Sequence, residues 1–189
     1  MTSRARILSA LTLCAAASVT QAAPASYRLD PAQSSLSFGF TQAGAQSQGH
    51  FARFDVSLAL DPAQPAQGRL DVNVDVGSLD SGDKDRDDTL RGPDLFNVAK
   101  FPRARFTSTA ITRVDASHYM AAGKLTIRDV TRDLQIPFAL TPGGSAASMS
   151  GQLVIKRLEF GVGQGDWKST EWVGNDVGVS FALRLTSQP

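Results

Sequence analysis

The amino-acid sequence predicts an all-β fold, an eight-stranded antiparallel β-barrel with a short helical insertion between strands 3 and 4. Three observations lead to this prediction: long stretches alternate apolar and polar residues, short polar turns separate these stretches, and one charged segment interrupts them. A sheet of eight strands loses its exposed edges when it closes, which favours a barrel. Alternation alone leaves a β-sandwich and an outer-membrane barrel open as alternatives.

Three predicted strands precede the insertion. The first places Leu36, Phe38 and Phe40 on one face, and the second runs from residue 54 to residue 60. The third, residues 69–76, alternates four apolar residues with four polar ones. A strict period of two indicates strands with one face in the core and one face in water.

The insertion lies between Arg86 and Phe106 and predicts a short charged helix followed by an apolar segment. Acidic residues favour the start of a helix and Arg91 its end, because of the helix dipole. The aspartates of residues 83–88 resemble a calcium-binding loop in their spacing. Asp88 replaces the glycine that such a loop needs at its sixth position, so we interpret them as helix-start charges.

Five more predicted strands follow the insertion. Polar turns at residues 115–117 and 128–129 separate the first three of them. A glycine-rich segment, residues 161–174, separates the last two. The strands are 106–114, 119–127, 134–140, 149–156 and 177–185.

The N-terminus predicts export. Arg4 and Arg6 precede an apolar run, and small residues follow around Ala22, as in a secretory signal peptide. We therefore expect a signal over residues 1–22, a single domain over residues 23–189 and a periplasmic location. Cys14 lies within this signal, so the exported domain has no cysteine for a disulfide.

The charge of the expected mature chain is close to neutral. Removing the signal changes the balance from 19 basic and 18 acidic residues to 17 and 18, a net charge of −1. This balance does not favour nucleic acid as a partner. The composition shows no linker or repeat that would divide the chain into two domains.

Several short blocks, in this order and spacing, resemble the signature blocks of the YceI family. This resemblance implies a periplasmic, lipocalin-like barrel that holds a polyisoprenoid, either an isoprenoid-quinone or a polyprenyl chain, in an elongated apolar lumen. It implies binding without covalent chemistry or a metal. The blocks are Asp30 to Phe38, Gly49, Phe51, Phe54, Arg86-Asp87, Leu90-Arg91, Asp94-Leu95-Phe96, Phe101-Pro102, Phe106-Thr107-Ser108, Gly123 to Ile127, Val130-Thr131 and Phe160 to Gly163.

The chain departs from the family pattern at two positions. Gln33 and Thr89 stand where many members have histidine, so a ligand contact that depends on those histidines is in doubt here. The segment from Gly161 to Trp167 resembles the subgroup that accompanies membrane proteins of the cytochrome b561 type. This resemblance implies a membrane redox partner and a role linked to quinones.

Twelve residues are the candidates for binding the apolar chain. They are apolar residues on the inner faces of predicted strands or in the insertions, and we expect them to line the lumen. For a single phenylalanine, packing in a filled core is the alternative. The candidates are Phe38, Phe40, Phe54, Val72, Val74, Leu95, Phe96, Phe101, Phe106, Phe138, Phe160 and Trp167.

Two other function classes compete with a carrier. A module that docks on a membrane partner would show an exposed apolar patch near Trp167 and Trp172 and a filled lumen. An enzyme acting on lipid would need a general base at the apolar site, for which Asp30, Asp87 or His50 are the first candidates. The sequence shows no nucleophile elbow or metal-binding spacing, so we expect no catalysis.

Overall fold

The structure, a computed structural model, describes residues 24–188. The predicted signal over residues 1–22 and Cys14 lie outside the described residues. Within them, the chain forms ten strands and one α-helix joined by short 3-10 turns. The elements are β1 Ala25–Gln42, β2 Ala45–Phe51, β3 Phe54–Leu60, β4 Arg69–Asp75, β5 Leu79–Asp80, α1 Lys84–Arg91, β6 Arg103–Arg113, β7 His118–Ile127, β8 Val130–Gly143, β9 Ala146–Lys156 and β10 Val173–Gln188.

Eight of these strands close into an antiparallel barrel. The ring runs β1-β3-β4-β6-β7-β8-β9-β10 and returns to β1, so barrel strands that follow one another in sequence are neighbours in space. The closing pairing joins β1 to β10 from Ser26 opposite Gln188 to Gln42 opposite Val173. The predicted barrel of eight strands is confirmed, and the β-sandwich alternative is excluded.

Strand β1 pairs with two different strands along one of its edges. Its first residues, 25–28, pair with β3, whereas residues 37–42 pair with β2, and β2 in turn pairs with β5. The turn between β1 and β2 places Ala43 and Gly44 at φ of 49° and 79°, as a tight hairpin requires. Sequence analysis did not predict β2 or β5, because β2 is mostly polar and β5 has only two residues.

The apolar faces of the barrel strands point inward, the reverse of a transmembrane barrel. Side chains fill one half of the lumen, which we call the packed half. There Tyr119 and Phe138 stack with ring centroids 5.5 Å apart. The buried residues of this half are Leu58, Leu60, Ile111, Tyr119, Ala121, Phe138, Leu140, Ala147 and Leu185.

Helix α1 lies between β4 and β6, where sequence analysis placed the insertion. The Asp83 side chain caps it by accepting from the Arg86 N–H at 3.0 Å. At its other end, Arg91 donates to the carbonyls of Gly77 and Leu79 at 3.2 and 2.5 Å. These bonds fix the helix to the segment that precedes it. Across residues 24–188, no helix is long and apolar enough to cross a membrane.

Three inward phenylalanines lie against glycines of neighbouring strands. A Cβ at Gly49 would lie 2.5 Å from Phe38 Cζ, one at Gly151 would lie 2.5 Å from Phe181 Cζ, and Gly123 faces Phe106 in the same way. Because the glycines lack side chains, the rings lie flat on the barrel wall. We call these contacts the glycine–phenylalanine pairs.

Substituting a glycine of one pair is expected to destabilise the barrel. In Gly151→Ala, the new methyl group overlaps the Phe181 ring and the Pro137 carbonyl, so the free energy of unfolding falls by about 1–3 kcal/mol. Chemical denaturation measures this change. Gly178→Ala is the matched control, because the atom nearest to its new methyl group, the Gly39 carbonyl oxygen, would be 3.9 Å away. Equal stability of the two variants would contradict this packing.

Candidate ligand-binding site

The half of the barrel opposite the packed half encloses a cavity of about 530 Å³. Small-molecule sites in proteins usually measure about 300–1,000 Å³. Along the wall the lining runs from Leu36 to Gln42 on β1 and from Leu70 to Val76 on the β4 side. At the rise of an extended strand, each stretch covers about 20 Å, so the cavity is elongated along the strands.

The wall of the cavity is aliphatic and aromatic. All eight barrel strands contribute to it, because each places alternate residues inward. Apart from Gln42 on β1 and Arg105 on β6, these strands offer a guest no polar side chain, so the wall favours an apolar chain. The apolar lining residues on these strands are Leu36, Phe38, Phe40, Phe54, Val56, Leu70, Val72, Val74, Ala104, Phe106, Leu125, Ile127, Leu134, Ile136, Met149, Leu153, Ile155, Val173, Val177, Val179, Phe181 and Leu183.

Polar residues lie at one end of the cavity, beside α1. Asp83, Asp85 and Thr89 line this end and are exposed, so the cavity meets solvent there. Arg86, on the same helix, is partly exposed and also lines the cavity. We call this end the α1 rim.

Two segments between barrel strands meet at the end of the barrel that carries the cavity: the insertion that contains α1, and the glycine-rich segment, residues 161–174. We call them the two insertions. The backbone N–H groups of Gly163 and Gln164 donate to the Asp94 carbonyl at 3.0 and 2.7 Å. Leu95 and Phe96 from one insertion and Trp167 from the other line the cavity. The insertions therefore form one hydrogen-bonded cover that contributes apolar side chains to the site.

Arg157 organises this cover. The side chain is buried, and its guanidinium donates to five backbone carbonyls at 2.7–3.0 Å. All five of its N–H donors are thereby used. Burial lowers the pKa of Arg157 from its ordinary value, although a guanidinium remains protonated at neutral pH. The accepting carbonyls belong to Val162, Trp167, Ser169, Val173 and Gly174.

Gly163 provides the space that Arg157 occupies. Its φ of 128° lies in a region that other residues rarely adopt, and a Cβ there would overlap the guanidinium. The glycine-rich segment is therefore a segment bound around a buried cation rather than an open hairpin loop.

Nine of the twelve candidate residues line the cavity. Which of them contact a ligand stays a prediction. The nine are Phe38, Phe40, Phe54, Val72, Val74, Leu95, Phe96, Phe106 and Trp167.

Phe101, Phe138 and Phe160 lie outside the lining, and we assign them to packing instead. Phe138 is in the packed half, and Phe160 is buried among core residues at the start of the cover. Phe101 contacts two cations: Lys100 Nζ is 5.0 Å and the Arg128 guanidinium carbon 5.4 Å from its ring centroid. Alternation predicts which way Phe138 points but not its position along the barrel axis, and it predicts nothing for Phe101 and Phe160, which lie outside the strands.

Other lining residues were missed by sequence reasoning. Val177, Val179 and Phe181 follow the same alternation as the predicted residues, so their period already indicated the inner face. Phe51 belongs to the unpredicted strand β2. The sequence around Arg157 did not indicate that its side chain is buried, because a charged residue next to a lysine is ordinarily interpreted as solvent-exposed.

The two departures from the family pattern lie in different places. Thr89 is at the α1 rim, where its hydroxyl donates to the Asp85 carbonyl at 2.8 Å. Gln33 is exposed in the irregular part of β1 and donates to Asp30 at 2.9 Å. Only the departure at Thr89 can therefore change the lining directly.

The residues considered for catalysis are distributed over the barrel. Asp30 is half-buried and His50 is exposed, and neither lines the cavity. Asp87 is buried and accepts from the backbone and hydroxyl of Ser81 at 2.9 and 2.7 Å, which gives it a structural role on α1. None of the three candidate general bases is among the residues that line the cavity.

The two tryptophans of the cover differ in exposure. Trp172 is 66% exposed, whereas Trp167 lines the cavity and packs against the core. The large exposed apolar residues of the described chain are Trp172, Val114 and Val154, which lie on different elements. An exposed patch formed by both tryptophans is therefore not present in residues 24–188.

A barrel of this topology, with an elongated apolar cavity under two insertions, was compared with known proteins. The family model described as the YceI-like domain matches residues 27–185. The chain belongs to this family. Its curated relatives include UPF0312 proteins of Photorhabdus laumondii, 33% identical over 59% of this chain, and of Shewanella denitrificans, 29% identical over 71%. The matches span 62% and 65% of the length of those two relatives.

Solved structures of other proteins have a similar barrel. BcnA of Burkholderia cenocepacia is 35% identical, with a TM-score of 0.79, over 82% of this chain and 98% of its own. The YceI protein of Campylobacter jejuni is 22% identical, with a TM-score of 0.67, over 77% and 86%. A polyisoprenoid binding domain from Saccharophagus degradans is 16% identical, with a TM-score of 0.67, over 86% and 98%. The last two share the fold.

Removing the Arg157 guanidinium is expected to loosen the cover. In Arg157→Met, five carbonyls lose their donor, so the free energy of unfolding falls by about 3 kcal/mol or more. Chemical denaturation measures this loss, and hydrogen exchange of residues 161–174 is expected to accelerate. Lys156→Met is the control, because the pair of Lys156 with Asp176 is exposed. Unchanged exchange in Arg157→Met would contradict the role assigned to this side chain.

Proposed function

We propose that this protein is a periplasmic carrier that holds one polyisoprenoid chain in the barrel cavity without covalent chemistry. The observation that carries the proposal is the cavity itself: an elongated, apolar space that meets solvent at a polar rim. A guest with a long apolar chain and a polar end matches both parts. Isoprenoid quinones and polyprenyl lipids have this form.

The branched wall favours a branched chain. Val, Leu and Ile side chains and flat phenylalanine rings alternate around the lumen, so the cavity has a broad, ribbed surface. The solved relative described as a polyisoprenoid binding domain shares this barrel and supports the choice of ligand class. Chain length and headgroup remain to be identified by binding.

Burial of the chain supplies enough free energy for the proposed function. Each methylene-sized unit removed from water contributes about 0.8 kcal/mol, so about twenty carbons contribute about 16 kcal/mol gross. Lost translational freedom and ordering of the chain offset much of this gain. Binding without any polar contact is therefore feasible, with selectivity set mainly by the length and width of the cavity.

Docking on a partner of the cytochrome b561 type stays a prediction from sequence resemblance. In the structure, the segment from Gly161 to Trp167 binds Arg157 and Asp94 and covers the cavity. These contacts account for the segment within the barrel. We therefore keep the carrier as the function that the geometry supports best.

A bulky side chain in the cavity is expected to weaken binding of the isoprenoid without unfolding the barrel. Val179 lines the cavity and is half-buried, so in Val179→Trp the indole occupies the space of the guest. Affinity for a polyprenyl quinone, measured by displacement of a fluorescent apolar probe, is expected to fall on the order of ten-fold or more, a loss of about 1.4 kcal/mol or more.

Val154→Trp is the matched control for this experiment. Val154 lies on the neighbouring strand β9, points outward and is 60% exposed, so the same substitution leaves the cavity unchanged. Circular dichroism shows whether both variants are folded. A folded Val179→Trp variant that binds quinone as tightly as the Val154→Trp variant would contradict the proposed function.

A further inference from the structure

Arg86 lies on α1 with its guanidinium at the α1 rim of the cavity. Its side chain is 25% exposed, and two of its three nitrogens are held by the protein. Nη1 donates to the Ser47 hydroxyl at 3.0 Å, and Nη2 lies 3.4 Å from the Asp83 carboxylate. Because Ser47 belongs to β2 and Asp83 caps α1, the guanidinium is fixed between two elements.

The third nitrogen, Nε, is different. It is buried, and among the residues that the structure describes it has no hydrogen-bond partner. An N–H group buried without an acceptor is costly, because it loses its bonds to water and gains none in return. Because Nε has no accessible surface, the donors of Arg86 that a guest can reach are the second N–H groups of Nη1 and Nη2.

The other charged groups of the lining are already used. Arg157 gives all five donors to backbone carbonyls, and Arg105 is exposed and pairs with Asp71 at 3.6 Å. The Thr89 hydroxyl donates to Asp85. The second N–H groups of Arg86 Nη1 and Nη2 are therefore the fixed charged donors that remain for a guest at this rim.

We propose that Arg86 binds the polar end of the isoprenoid, with a free Nη N–H donating to a neutral oxygen acceptor, the carbonyl of a quinone or the hydroxyl of a polyprenol. This inference rests on the proposed carrier function and adds the chemistry of the headgroup and its direction. The polar end lies at the α1 rim, and the tail extends along the cavity toward the packed half.

The charges around Arg86 favour a neutral headgroup over a phosphate. The Asp83 and Asp85 carboxylates line the same rim, and Asp83 already faces the guanidinium. An anionic headgroup would meet two like charges together with one shared cation, and like charges at short range repel. Polyprenyl phosphate is therefore expected to bind more weakly than polyprenol of the same length.

The test compares four probes in the displacement assay: a polyprenyl benzoquinone, a polyprenol, a polyprenyl phosphate and an isoprenoid hydrocarbon of matched length. The unmodified protein is expected to prefer the quinone and the polyprenol. In Arg86→Met the affinity for these two falls about ten-fold or more, since a hydrogen bond from a charged donor is lost, and that for the hydrocarbon is unchanged. Hydrocarbon binding also shows that the variant is folded.

Two further variants sharpen the result. Arg86→Lys keeps a positive charge but has one nitrogen in place of three, so it cannot bond Ser47, Asp83 and a guest in the plane of a guanidinium, and it is expected to lose the preference as Arg86→Met does. Arg103→Met makes the same change at an exposed residue of β6 outside the lining, and it is expected to keep the preference. A preference that survives in Arg86→Met or Arg86→Lys would overturn the role of Arg86.

The outcomes separate this inference from the proposed function. If none of the four probes displaces the fluorescent probe from the unmodified protein, the carrier function itself fails. If all four bind equally well and Arg86→Met changes nothing, the carrier function stands and the role of Arg86 fails. Tighter binding of polyprenyl phosphate than of polyprenol would overturn the preference for a neutral headgroup.

Discussion

The pairing of β1 with β10 is the constraint on which the rest of the structure depends. It joins the first and last strands along almost their whole length and turns an open sheet into a ring of eight strands. Closure fixes the width of the lumen, because strand number and stagger set the diameter of a barrel. Once the width is fixed, the side chains at each level decide whether the lumen is filled or open.

The two halves of the lumen use similar residues differently. In the packed half, leucines and the stacked rings of Tyr119 and Phe138, which are paired on the neighbouring strands β7 and β8, fill the lumen. In the other half, Phe38, Phe106 and Phe181 lie flat over glycines, so large rings line the wall without crossing the lumen. The cavity therefore results from where the glycines lie as much as from which residues point inward.

The two arginines Arg157 and Arg86 differ in how many of their N–H donors are bonded within the protein. A buried guanidinium is costly unless all its donors are bonded, and Arg157 meets this condition with backbone carbonyls alone. It thereby converts a glycine-rich segment without regular strands into a fixed cover. Within the described residues, Arg86 uses only two of its five N–H donors, and this contrast between two arginines of one cavity is the basis for assigning the ligand's polar end to the α1 rim.

The sequence predicted the barrel strands because alternation of apolar and polar residues is a local property that survives in the fold. It predicted the inner face correctly for Phe138 as well as for Phe106, but not which of them lines the cavity, because depth along the axis depends on residues from all the strands. Strand β2 is polar and pairs only because β1 offers it an edge. The role of Arg157 depends on carbonyls that the folded cover brings together, and no pattern in the chain encodes it.

Native mass spectrometry of the protein purified from a bacterium that exports it tests the carrier function most directly. We predict a non-covalent adduct of one lipid per chain, which organic solvent releases and whose fragments identify it as an isoprenoid. Bare protein after purification that also takes up no lipid from vesicles containing polyprenyl quinone would contradict the account.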